Sequence, residues 1–327
     1  MISLFRGNDV FSLLLLLPYI ILVRIGTFIY PEVMIATEHD SYLYTQVLSL
    51  FGTSLSQAIA AVVLIHIQSI LVVSIIAKNR LGNETTSFAG VLYPLLIGII
   101  SPSATLTPIL LGNLFLLLAV NSLFSSYKNP KAVAIIFNTG FFIGVATAFY
   151  TPFCVFILLG IIGLLILRSF KFLEKLQYFL GLFCTMLFLG TWRFVKELSL
   201  EPMFDLGINF MKFLKPNLDS NVVYYVFLVL VMMIILYVLS LYTMVLSKKN
   251  IQVQKKVDIL YWVLLFSGVI VILYSPSNAQ VLWVAAMPLS MILAIKLSDK
   301  KSIFLAEIFH LGLLVMVFIG TLKLIVI

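Results

Sequence analysis

The sequence predicts an all-α fold, a polytopic transmembrane helical bundle of about eleven spans, with residues 1–327 forming a single integral membrane domain. Three observations carry this prediction. The mean hydropathy is +1.16, with 62% hydrophobic residues and only 10% charged ones. Several apolar runs are long enough to cross ~30 Å of hydrocarbon, and they read as continuous Leu, Ile, Val and Phe rather than as short alternating segments. Helices satisfy their own backbone in lipid, so this pattern favours a bundle over a barrel. Third, Lys and Arg collect in alternate loops, as cytoplasmic loops do.

In chain order the apolar segments are 10–29, 56–77, 87–101, 105–124, 132–150, 152–167, 176–192, 222–246, 259–274, 279–297 and 302–323. The first belongs to a signal-like opening, "MISLFRGNDVFSLLLLLPYIILVRIGTFIY". No small-residue cleavage site follows it and Arg24 stands near its outer end, so it reads as a retained span. With the N-terminus in the cytoplasm, the inner loops hold Arg6, Lys78, Arg80, Lys128, Lys131, Arg168, Lys171, Lys175, Lys248, Lys249, Lys255, Lys256, Lys296, Lys300 and Lys301. These are 15 of the 21 basic residues. The outer loops hold Arg193, Lys196, Lys212 and Lys215, all in one long segment. The C-terminus then lies outside. The net charge of +8 fits this bias beside anionic headgroups, and no nucleic-acid partner is implied.

The outer connections differ in chemistry from the inner ones. "SPSA" at 101–104, "YTP" at 150–152 and "SPSN" at 275–278 are uncharged, Pro-built turns. Spans beside them are short enough to end below the headgroups, leaving either a depression for a lipid or ordinary tight hairpins. Two outer segments are long. Residues 30–55 form the first outer loop; residues 192–221, "WRFVKELSLEPMFDLGINFMKFLKPNLDSN", mix charges with Leu, Met and Phe and read as an amphipathic outer loop lying on the surface.

Candidate chemistry starts in the first outer loop, where Glu32, Glu38, His39 and Asp40 gather without a Lys or Arg. A carboxylate at the membrane boundary can act as general base or hold a divalent cation against a phosphate, which makes Asp40 and Glu38 the candidate catalytic residues. Keeping the loop wet is the alternative. His39 can supplement either carboxylate in contacting substrate. Arg24 can meet a lipid phosphate or snorkel to the headgroups. His66, with Gln68, lies in mid-span, where a polar side chain must face the bundle or water, either as a substrate contact or as a hydrogen-bonding tie. Asn113, Asn121 and Asn138 suit helix-to-helix hydrogen bonds. Glu307 and His310 share a helix face, but a di-iron site needs that motif twice, and there is no second copy. Cys154 and Cys184 read as small packing residues. No phosphate loop, nucleophile elbow or zinc spacing occurs, so no metal site is indicated and no cofactor is specified.

The stretch 105–170 carries a span, a short basic loop, the helix "GFFIGVA" (Gly140–Ala146) and then the turn Thr151–Pro152. In this it resembles the middle spans of GT-C type membrane glycosyltransferases. Over much of its length the chain also resembles a family of polytopic inner-membrane proteins of Bacteroidota, a domain of unknown function. The GT-C resemblance implies transfer of a sugar from a polyprenyl-phosphate-linked donor at the outer face, with Asp40 or Glu38 in the place of the first-loop acid. Two departures stand against it: no basic residue precedes Pro152, and no large soluble domain follows the last span. A non-catalytic membrane subunit, held to a protein partner in an envelope complex, is the competing expectation. A transporter would need a polar path that the few intramembrane polar residues do not supply.

Overall fold

The computed structural model describes Phe5, Met34 and residues 10–32, 41–82, 86–101, 103–168, 171–196, 222–246, 249–274, 279–297 and 303–326. Its helices are α1 (Val10–Val23), α2 (Ile25–Ile29), α3 (Tyr42–Ser49), α4 (Ser54–Asn79), α5 (Phe88–Ile100), α6 (Pro108–Ser125) and α7 (Val133–Phe149). A 3₁₀ turn at Thr151–Val155 leads into α8 (Phe156–Leu167), followed by α9 (Phe172–Val195), α10 (Val222–Ser240), α11 (Tyr242–Leu246) and α12 (Ile251–Tyr274). A second 3₁₀ turn, Ala279–Leu282, precedes α13 (Trp283–Leu297), and α14 (Ile303–Val326) ends the series. Among the described residues the only β pairing is an isolated bridge between Glu32 and Ala104. The fold is all-helical, as expected.

Among the described residues six helices are long and apolar enough to cross a membrane: Ser54–Asn79, Pro108–Ser125, Phe172–Val195, Ile251–Tyr274, Gln280–Leu297 and Phe304–Leu322. The chain is a multi-pass membrane protein. Four shorter apolar helices, Phe11–Val23, Phe88–Ile100, Val133–Phe149 and Thr151–Leu167, fall on four of the other expected segments. The chain folds into two compact units. The first comprises Met1–Val33, Thr53–Thr105 and Phe210–Ile327; the second comprises Met34–Gly52 and Leu106–Asn209.

The first unit is centred on α5 and α13. Both are apolar on every side, and both are buried along their length, as an all-round hydrophobic helix must be unless it faces lipid. The Trp283 indole at the start of α13 donates to the Ile97 carbonyl near the end of α5 (3.1 Å). By contrast, α14 leaves Phe304, Leu305, Ile308, Leu311 and Val315 exposed, a stripe at helical spacing suited to hydrocarbon. Polar side chains inside this unit serve as ties. Tyr93 donates to Gln68 (2.5 Å), Tyr19 Oη pairs with His310 Nε2 (2.8 Å), and Ser12 pairs with Ser87 (3.0 Å). Lys256 Nζ donates to Asn79 Oδ1 (2.6 Å), joining two segments that the charge alternation puts on one side of the membrane.

The second unit is built on close contact between α7 and α9. A Cβ placed on Gly140 would lie 2.1 Å from the Tyr178 carbonyl oxygen, and one on Gly181 would lie 2.2 Å from the Phe137 carbonyl oxygen. Gly140 and Gly144 are four apart on α7; Gly181 and Thr185 are four apart on α9. Small residues at this spacing let two membrane helices touch backbone to backbone. At the opposite end from α3, Arg168 forks onto Glu174 (2.7 and 2.8 Å) and also donates to the carbonyls of Ser126 (2.5 Å) and Asn129 (2.8 Å). These are again segments expected on one side.

Two elements differ from the sequence reading. The segment 10–29 is not one helix: α1 ends at Val23, Arg24 adopts φ −101° and ψ 22°, and α2 starts afresh at Ile25. The first outer loop contains a helix, α3, whose N-cap Ser41 accepts a hydrogen bond from the Tyr44 amide (3.3 Å). Residues 197–221, most of the expected amphipathic outer loop, lie outside the described residues.

Candidate functional site

Of the residues singled out from the sequence, Glu38, His39 and Asp40 lie outside the described residues. Arg24 is fully buried in the first unit. Its Nη1 donates to the Ser101 carbonyl (2.7 Å), its Nη2 to the Ala104 carbonyl, and its guanidinium lies 5.5 Å from the centre of the Trp283 ring. The cation thus holds the turn after α5, and only Nε has no hydrogen-bond partner. It is placed there by the break between α1 and α2, which puts residue 24 beside that turn. Glu32 contributes to the same corner through its backbone: its amide donates to the Ser103 carbonyl (3.1 Å), and its carbonyl accepts from Thr105 Oγ1 (2.8 Å). His66 is half-buried on α4, and its Nδ1 has no hydrogen-bond partner. Among the described residues no three His, Cys, Asp or Glu side chains group closely enough to hold a metal ion.

The second unit contains a site that the sequence reading did not single out. Helix α3 is amphipathic, and Tyr44 and Leu48, four apart, point inward onto Phe149 at the end of α7. Two hydrogen bonds fix its position: Ser41 Oγ donates to the Phe149 carbonyl (2.8 Å), and Tyr44 Oη donates to the Leu106 carbonyl (2.9 Å). Tyr42, between these two, is thereby held over the last turn of α9. Trp192 Nε1 donates to Tyr42 Oη (3.2 Å), and the Arg193 guanidinium lies 5.6 Å from the Tyr42 ring centre, a cation–π arrangement. Arg193 is only 8% exposed, so its charge is held inside the protein rather than offered to water.

Two cavities meet at Tyr42, Leu43 and Leu189. The larger, about 440 Å³, is lined further by Gln46, Phe141, Val145, Thr185, Phe188 and Trp192. Its volume falls within the ~300–1,000 Å³ common for small-molecule sites. It is almost wholly apolar, with Thr185 Oγ1 already bonded to the Phe141 carbonyl (3.2 Å). The smaller, about 50 Å³, is lined by Ser41, Thr147, Ala148, Thr151, Met186 and Arg193 besides the shared three. It therefore carries a buried cation, the four hydroxyls of Ser41, Tyr42, Thr147 and Thr151, and the N-terminal end of α3.

Chemically the pair separates an apolar compartment from a small, more polar one. The sequence signals that could have found it are the Ser41 cap ahead of "YLYTQ" and the Trp192–Arg193 pair ending an apolar run. Both fall in segments expected on the outer side, and Ser41 directly follows Asp40. Comparison of the chain with protein-family models, with curated proteins and with solved structures returns no match in any of the three.

Proposed function

We propose that the protein spans the bacterial inner membrane with its N-terminus in the cytoplasm, on a GT-C-like scaffold of about eleven spans, and transfers a sugar from a lipid-phosphate donor at the outer face. One observation carries the reading. The two segments expected outside, 30–55 and the start of 192–221, converge on two adjoining cavities, one apolar and one lined by the buried Arg193 and by Ser41, the residue after Asp40. In this reaction Asp40 or Glu38 takes the proton of an acceptor hydroxyl as its oxygen attacks the sugar's anomeric carbon, and the bond to the lipid phosphate breaks. His39 assists, and the lipid is drawn from the bilayer.

The test is a Glu38→Gln/Asp40→Asn double variant, assayed for transfer from lipid-linked donors in reconstituted membranes. A fall of about 10²–10⁴-fold at unchanged protein level is expected, the usual contribution of a general base. Retained transfer removes Asp40 and Glu38 as the base, and no transfer by the parent chain removes the reading and favours the non-catalytic subunit, which predicts a stoichiometric partner co-purifying in mild detergent.

The orientation has its own check. In a variant lacking Cys154 and Cys184, Ser49→Cys, at the exposed end of α3, should react with a membrane-impermeant maleimide from the periplasmic side of intact cells. Labelling only after the inner membrane is opened would reverse the topology and with it the assignment of the cavity to the outer face.

A further inference from the structure

We infer that the larger cavity of the second unit is a chain-binding chamber, reached sideways from the bilayer, that takes one acyl chain of a neighbouring phospholipid. The inference goes beyond the proposed reaction and does not require it.

The chamber follows from how α7 and α9 meet. Gly140 faces Tyr178 and Leu182, Gly181 faces Phe137 and Phe141, and Gly144 faces Thr185, so the two helices run parallel and advance together. The same offset brings Phe149, where α7 ends, level with Gly190, and α9 continues to Val195, about 7.5 Å further. Helix α3 lies against the end of α7 and is tied to this overhang by the bond between Trp192 and Tyr42. Between the three helices a space of about 440 Å³ is left. Its floor is Thr185 and Phe141, beside the glycine contact. Its rim is Tyr42, Gln46 and Trp192, about 10 Å further along α9.

Three features select the occupant. The first is access: Phe188 and Trp192 line the chamber, yet they are 67% and 52% exposed, and Leu180, Phe183 and Leu187 of the same helix are exposed as well. A helix able to cross the membrane presents such a face to lipid, so the mouth opens on hydrocarbon. The second is direction. Trp and Tyr settle at the headgroup level, so Tyr42 and Trp192 mark the rim as interfacial, and the chamber deepens from there as an acyl chain descends from its headgroup. The third is filling. A water held inside needs about two to four polar partners, but Tyr42 Oη already accepts from Trp192 and Thr185 Oγ1 already donates to the Phe141 carbonyl. An empty chamber would leave Phe141, Val145, Phe188 and Leu189 without contact atoms on that side.

A chain that leaves the bilayer for this chamber gains no hydrophobic free energy, because lipid tails are as apolar as its walls. It is held by shape and contact and exchanges with the surrounding lipid. Covalent capture in place therefore reports it better than co-purification does.

The experiment uses the full chain in phosphatidylcholine nanodiscs that include a phosphatidylcholine with a diazirine on one acyl chain. After illumination, adducts are located by peptide mass spectrometry. They are expected on Thr185, which is only 3% exposed, and on Leu189, as well as on the outward-facing Leu180 and Phe183. Val145→Phe, which fills the chamber from α7, and Leu43→Trp, which fills it from α3, should each lower the Thr185 and Leu189 adducts at least tenfold while Leu180 and Phe183 are labelled as before. Labelling confined to Leu180 and Phe183 in the parent chain overturns the inference, as do Thr185 adducts that persist in both filled variants. Adducts at Thr185 from a diazirine-bearing polyprenyl phosphate but not from the phospholipid also overturn it, in favour of a site reserved for the proposed donor. No transfer by the parent chain with Thr185 labelling intact removes the proposed reaction and leaves the chamber standing. Transfer with that labelling absent does the reverse.

Discussion

Gly140→Ala or Gly181→Ala is expected to destabilise the second unit by about 3 kcal/mol, the upper end of the usual cost of overpacking. The reason is what each new methyl would meet. At Gly140 it would sit 2.1 Å from the Tyr178 carbonyl oxygen, and at Gly181 2.2 Å from the Phe137 carbonyl oxygen with the Phe141 amide nitrogen at 2.8 Å. These are backbone atoms in the middle of helices, so no rotamer change relieves the overlap. The two helices must separate, and every contact along α7 and α9 loosens with them. An internal control lies on the same helix: a Cβ at Gly190 has nothing within 4 Å, and Gly190→Ala should be neutral or slightly stabilising. Unfolding in increasing dodecyl sulfate, followed by alkylation of Cys184 on α9, separates the outcomes. Similar midpoints for Gly181→Ala and Gly190→Ala would show that α7 and α9 are not in backbone contact.

Arg24→Leu is expected to cost on the order of 4 kcal/mol in the first unit, because it leaves the buried Ala104 carbonyl and the part-buried Ser101 carbonyl without their donor. It also removes the cation from the face of Trp283, the residue that ties α13 to α5. Arg24→Lys should recover part of the loss, since a single ammonium group can serve one carbonyl well but lacks the planar fork that reaches both. Thermal unfolding of the purified variants measures this. A lysine variant with wild-type stability and lost lipid-phosphate binding would return Arg24 to the role that its position in an apolar run first suggested.

Gly140, Gly181 and Arg24 show what the sequence could and could not disclose. The helices were legible because long runs such as "VVYYVFLVLVMMIIL" have no other stable form in a bilayer, and the alternation of Lys and Arg paired the loops that the structure joins: Lys256 with Asn79, and Arg168 with Asn129. The glycines of "GFFIGVA" were visible as a pattern, but their partner, Gly181, lies forty residues further on and no local rule links them. Arg24 was conspicuous for being charged among apolar residues, yet its burial depends on a helix break that an unbroken apolar run conceals. The first outer loop was judged by its acids, which drew attention to residues 38–40. The helix that begins at Tyr42 is set by the Ser41 cap and by the i, i+4 pair Tyr44 and Leu48, a short signal beside a louder one. Arg193 was counted only as an outer charge; its meeting with Tyr42 joins residues 151 positions apart.

The order of the segments constrains how the protein comes into being. Every residue of the second unit has been synthesised once residue 209 is made, whereas α1, α4 and α5 then still await α13 and α14, which lie beyond residue 280. Tyr19 must wait for His310 and Ile97 for Trp283. For roughly the last third of synthesis the earliest helices sit in the bilayer with their inward faces uncovered, dependent on the insertion machinery or on neighbouring lipid to shield them. Nonsense truncations after residue 210 should therefore yield chains whose middle survives protease while their beginning is degraded.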